Sequence, residues 1–219
     1  MNIKDLRVRA ICMLAIAFVA LVVVTIWASI TGGKQEPFEH MFDGYSAQML
    51  AVAEALRVTL FMDFIFILCF GIGFQLALLV WRENAPSLYL LGAVSFALVA
   101  GLDIIEDLWL LGSISTVQLG GDVWSADLRM QQFISGLKWM MAAVALVLFS
   151  FFLPRDGWRA QLTVWGTRLG LAVGCAGFVA APAGMLLISN IALYAGMLIG
   201  FVMVIWMLVR ERNSENAAA

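Results

Sequence analysis

The chain is 219 residues long, 63% hydrophobic and only 13% charged, with a formal net charge of −2. A soluble domain is roughly half apolar and a quarter charged, so this composition, with a mean hydropathy of +0.96, excludes a water-soluble fold. Apolar stretches of about 20 residues recur along the whole length, and no polar block between them is long enough to fold separately. The expectation is therefore a single all-α, multi-pass integral membrane domain over residues 1–219, a six-helix transmembrane bundle with no soluble module and no nucleic-acid partner.

In chain order, the spans are expected over residues 10–30, 58–81, 88–112, 132–153, 165–187 and 191–209. The first follows Lys4, Arg7 and Arg9 as a secretory signal would, but its apolar run exceeds the usual ~7 to 15 residues, so it reads as a retained span. Tight turns at Arg82–Ser87 and around Pro154 connect the second span to the third and the fourth to the fifth. The longer connections, residues 31–57 and 113–131, lie on the opposite side.

An even number of spans puts both termini on one side. Nine of the thirteen Lys and Arg residues fall there; the other side holds only Lys34, Arg57 and Arg129, and Lys138 lies inside a span. The positive-inside rule then makes both termini cytoplasmic, and the expected location is the bacterial inner (cytoplasmic) membrane. The outer side is acidic, with Glu36, Glu39, Asp43, Glu54, Asp122 and Asp127.

In the first outer connection, "EPFEHMFDGY" spaces Glu36, Glu39, His40 and Asp43 at i, i+3, i+4 and i+7. On an α-helix these would share one face and could hold a divalent metal. An interfacial amphipathic helix, with Phe38, Met41 and Phe42 dipping into the headgroups, accounts for the same letters.

The third span contains "GLDIIEDLWLL", in which Asp103, Glu106 and Asp107 form one stripe at i, i+3 and i+4. Counted inward from the expected helix ends, these acids, Asp63 and Lys138 all lie roughly 7–14 Å below the outer boundary. A central acid costs about 2.5–3.5 kcal/mol on insertion scales, and each Leu, Ile, Val or Phe returns only about 0.3–0.6. Thirteen such residues between Leu88 and Leu111 roughly balance three acids, so the stripe must face protein or water.

Four carboxylates against one ammonium leave an excess of negative charge in a medium of low dielectric. The acids must hold protons, bind a cation or recruit Arg57 and Arg129 from the helix ends. A hydrogen-bonded network that only locks the second, third and fourth spans together is the structural alternative.

Gly166, Gly170 and Gly174 recur every four residues in the fifth span, as do Gly196 and Gly200 in the sixth. Such spacing predicts close packing of these helices on each other or across a dimer. Pro182 is a candidate kink. Trp27, Trp81, Trp109, Trp124, Trp139, Trp165 and Trp206 read as interfacial belts.

His40 is the sole histidine, which excludes bis-histidine haem ligation and multi-histidine zinc sites within the chain. Cys12, Cys69 and Cys175 show no ligand spacing, and no G-x-S-x-G or phosphate-binding glycine loop occurs. No cofactor is expected.

Three functions fit. The first is binding or translocation of protons, a cation or a cationic solute by Asp63, Asp103, Glu106 and Asp107 with Lys138. The second is a structural or accessory subunit, a homo-oligomer or part of a larger membrane complex, assembled in lipid through its glycine faces. The third is a carboxylate-dependent enzyme acting on a lipid; on balance the residues lean away from catalysis.

Overall fold

A computed structural model of the chain describes residues 3–40, 42–180 and 186–217; Met41 and Pro182 lie outside the described residues. These residues form helices and turns, with no strand among them. The helices are α1 (Ile3–Thr31), α2 (Tyr45–Val80), α3 (Tyr89–Gln118), α4 (Ser125–Phe149), α5 (Trp158–Trp165), α6 (Ala172–Ala180) and α7 (Leu186–Ala217). A π-helical segment, Gly166–Leu171, joins α5 to α6 without a break.

Five helices are long and apolar enough to cross a membrane: those at Ile3–Thr31, Tyr45–Val80, Pro86–Gln118, Ser125–Phe149 and Leu193–Ser214. The fifth expected span, residues 165–187, is not among them. Its described part is the stretch from the end of α5 through the π segment and α6, and the rest lies largely outside the described residues.

Three helices run further than their apolar windows. α2 begins at Tyr45 and not at residue 58, α3 continues to Gln118, and α4 starts at Ser125. The added segment "YSAQMLAVAEALR" is rich in Ala, Leu, Met, Glu and Arg, which are strong helix formers whether or not they are oily. The two long connections accordingly shrink to residues 32–44 and 119–124. At the second, α3 stops at a left-handed Gly120 (φ 81°), with Gly121 N donating to Thr116 O and Gly120 N to Val117 O. That is the Schellman pattern, and glycine permits it at no steric cost.

Side-chain packing links α1 to α2, α2 to α3, α3 to α4, α4 to α6, α6 to α7, and α7 back to α1, closing a ring. Both chain ends lie at one end of it, where Arg7 pairs with Glu211 at 3.2 Å. The Trp81 indole N–H donates to the same carboxylate at 2.9 Å. Trp81 is therefore buried in the helix junction, not part of an interfacial belt. The outward faces are oily: Ile30, Phe61, Leu90, Phe133 and Ile199 are all more than 60% exposed.

The expected glycine stripe forms only in part. Leu171 sits in the notch between Gly196 and Gly200 of α7: a Cβ built on either would lie 2.7 and 3.3 Å from the Leu171 methyls. Gly174 faces Leu193, whereas Gly166 and Gly170 face open space. The π segment is the reason, since its wider turn rotates Gly166 and Gly170 out of line with Gly174. Comparably close approaches occur where the spacing gave no hint. Gly33 lies against the Ala55 backbone and Gly73 against Leu14, each leaving under 3.0 Å for a Cβ.

Candidate functional site

The site lies toward the end of the bundle opposite the termini. The α3 stripe turns inward: Glu106 and Asp107 are fully buried and Asp103 is 9% exposed. From α4, one ammonium reaches across to this stripe. Lys138 Nζ donates to Glu106 Oε2 and pairs with Asp103 Oδ1 at 2.9 Å.

A third carboxylate completes the set around Lys138. Glu39 Oε1 stands 3.8 Å from Nζ, and Glu39 Oε2 accepts from Ser135 Oγ at 2.6 Å and Trp139 Nε1 at 2.9 Å. Ser135, Lys138 and Trp139 lie at i, i+3 and i+4 on α4, so one helical face supplies all three donors. Lys138 also lies 4.9 Å from the Trp139 ring centroid.

Glu39 thus belongs to the buried charge cluster and not to a surface metal face with Glu36, His40 and Asp43. The segment is one 3-10 turn, Glu36–Glu39, with Pro37 as its second residue, so the i, i+3, i+4, i+7 spacing does not place these residues on one α-helical face. Phe38 and Glu39 turn inward while Asp43 is exposed. Neither does the segment form an interfacial amphipathic helix, because Phe38 packs in a buried cluster with Tyr45 and Met49.

The 32–44 connection is sewn into the end of the bundle. Gln35 Nε2 donates to Asp107 Oδ1 at 3.0 Å. Gln131 Nε2 donates to Phe38 O at 2.6 Å, and the Tyr45 hydroxyl donates to Gln131 Oε1 at 2.9 Å. The Tyr194 hydroxyl of α7 hydrogen-bonds Glu36.

Asp63 of α2 completes the acidic set. Its carboxylate, with those of Asp103 and Asp107, offers oxygens that all lie within 4.8 Å of one another. Among the described residues Asp63 has no hydrogen-bond or ion-pair partner. Glu106 Oε1 and Asp107 Oδ2 are likewise buried without a hydrogen-bond partner. Five carboxylates therefore surround one ammonium. Arg57 and Arg129 do not join them: Arg57 donates to Gln118 at 2.6 Å on the surface, and Arg129 is exposed.

A cavity of about 120 Å³ opens directly on this cluster, with Glu39, Asp63, Asp103 and Lys138 in its wall. It continues along the bundle axis between aromatic side chains. Phe66, Phe70 and Phe74 follow Asp63 down one face of α2, and Phe74 stacks on Phe96 at 4.8 Å and meets Phe149 edge-on at 4.9 Å. Trp139 lines the same cavity and is not an interfacial anchor. The stripe Asp63, Phe66, Phe70, Phe74 is written in "DFIFILCFGIGF" and was legible at helical spacing; Glu39 carried no local signal pointing inward.

Chemically, the arrangement offers oxygen ligands and negative charge inside the bundle, with Lys138, the cation in the described wall of the cavity, already paired. Comparison of the chain with protein-family models, characterised proteins and solved structures gives no match in any of the three.

Proposed function

We propose that this is a six-span protein of the bacterial inner membrane, with both termini cytoplasmic, that binds a cation or protons in an acidic chamber beneath its outer face. Five helices of membrane-crossing length and apolarity, oily outward faces and the Lys and Arg asymmetry support the membrane placement. A multi-pass protein with ionisable groups turned to its interior uses them by default for substrate, ion or proton handling.

One observation carries the reading: Asp63 lines the cavity with no ion-pair partner among the described residues, while Lys138 is shared in direct pairs among Asp103, Glu106 and Glu39. An acid so placed needs a proton or a cation from outside the chain. Difference infrared spectroscopy on the protein in lipid tests this, comparing wild type with Asp63→Asn as pH and cation concentration vary. A carboxyl band that responds to either and vanishes in Asp63→Asn is the expected result. Bands indifferent to both would overturn it.

The accessory-subunit reading also has an observation behind it. Lys138 ties α3, α4 and the 32–44 connection together, as a purely structural network would. That reading predicts loss of the folded protein on neutralising Asp103 or Glu106, which Lys138 holds, and no effect of Asp63→Asn, whereas the binding reading predicts that Asp63→Asn gives a folded protein that no longer responds.

A further inference from the structure

We propose that the cation is an organic ammonium ion with an apolar body about one ring in size, its charge set against Asp63 and its body against the phenylalanine wall. This rests on the cation-binding reading above and names the ligand class.

A bare metal ion would use the carboxylate oxygens alone. The cavity, however, does not end at the acids. From Asp63 its wall runs through Phe66 and Phe70 to Phe74 on α2, about 16 Å at 1.5 Å per residue. Phe96, Phe149 and Phe201 from three other helices close it, and Phe201 meets Phe66 and Phe74 with ring centroids 6.1 and 5.8 Å apart.

An aromatic wall offers little to an inorganic ion or to ordered water, which requires two to four polar partners. It suits an apolar group, and aromatic faces also attract an ammonium head. Size sets the upper limit: about 120 Å³ is close to the ~150 Å³ of a cavity that takes up benzene. Charge sets the sign. Glu39, Asp63 and Asp103 line one end of the cavity, and Lys138, the cation among them, is already held by three carboxylates, so an anionic amphiphile meets repulsion.

The test is saturable binding of radiolabelled benzylammonium to the purified full chain in lipid nanodiscs at neutral pH, with empty discs as the blank and Na⁺, Mg²⁺ and Ca²⁺ tested separately. This probe is one ring with a compact ammonium head, and a primary amine of this kind is fully charged at neutral pH. The variants are Asp63→Asn, which removes the counter-charge, and Phe70→Leu, which removes a ring but keeps the site filled.

The expected result is saturable binding to wild type, weakened about tenfold or more by Asp63→Asn and about threefold or more by Phe70→Leu, with both variants eluting as wild type does on size exclusion. Binding of Mg²⁺ or Ca²⁺ that needs Asp63, without saturable uptake of the organic probe, overturns the ligand class and leaves the cation site intact. Probe binding indifferent to Asp63→Asn, or no cation binding of either kind, overturns this proposal and leaves only protons as the occupant of the site, which the infrared titration decides separately. Should Asp63→Asn not fold, Phe70→Leu decides, and unchanged affinity in that variant overturns the proposal.

Discussion

Removing the Lys138 ammonium would leave Asp103, Glu106 and Glu39 buried with no fixed counter-charge. Breaking a buried pair from one side typically costs about 3–5 kcal/mol, mostly from the orphaned charge and not from the lost attraction. Lys138→Met is therefore expected to lower the thermal unfolding midpoint in detergent by a large margin. Adding Glu106→Gln to it should recover part of the loss; a double variant no better than the single one would count against the pairing. Glu39→Ala acts differently, because it strands the Ser135 hydroxyl and the Trp139 indole N–H, which both donate to it. Buried donors left unmade cost about 1–3 kcal/mol, and the 32–44 connection loses its inward anchor. Faster limited proteolysis within residues 32–44 is the expected readout, and cleavage at the wild-type rate would show that Glu39 does not hold the connection in place.

Between elements, glycine contacts separate real from apparent packing. A Cβ on Gly33 would lie 2.7 Å from the Ala55 carbonyl carbon. Backbone cannot swing aside as a side-chain end can, and Thr59 Oγ1 also donates to Gly33 O at 2.7 Å. Gly33→Ala should destabilise by about 1–3 kcal/mol through forced displacement of α2. Gly170→Ala meets nothing within 4 Å and should be neutral or stabilising by up to about 1 kcal/mol, since it restricts the unfolded chain. Thermal unfolding of the two variants side by side checks the pair, and equal losses would mean that the π segment packs more tightly than its open glycines indicate. Gly196→Ala should fall between them, because the opposing atom is the far end of the Leu171 side chain.

For the molecule as a whole, the Arg7–Glu211 pair brings both chain ends to one end of the ring, and the acidic chamber lies toward the other. The proposed orientation follows from the clustering of Lys and Arg at the terminal end. A fluorescent protein fused after Ala219 should therefore fluoresce, as it does when it folds in the cytoplasm, and alkaline phosphatase inserted in the 119–124 connection should be active. The opposite pattern would invert the topology and place the chamber on the cytoplasmic side. In the 32–44 connection, Gln35, Phe38 and Glu39 are held to this end of the bundle by Asp107, by Gln131, and by Ser135 and Trp139.

The sequence by itself determined the helical class, the long apolar helices and the inward stripe of Asp103, Glu106 and Asp107. Each of these follows from local quantities: transfer free energy over a window of residues and the 3.6-residue period that puts i, i+3 and i+4 on one face. Helix ends were less legible, because a window of hydropathy stops where polarity begins while a helix stops where hydrogen bonding or a glycine ends it. The tertiary structure alone decided that Glu39 leaves its sequence neighbours His40 and Asp43 to meet Ser135 and Trp139, 96 and 100 residues away. It also decided that Arg57 turns to Gln118, and that phenylalanines of four helices line one cavity with Asp63. Such partners are chosen by the rotation of each helix about its axis, which depends on every neighbour it packs against, and no stretch of a single chain segment records that.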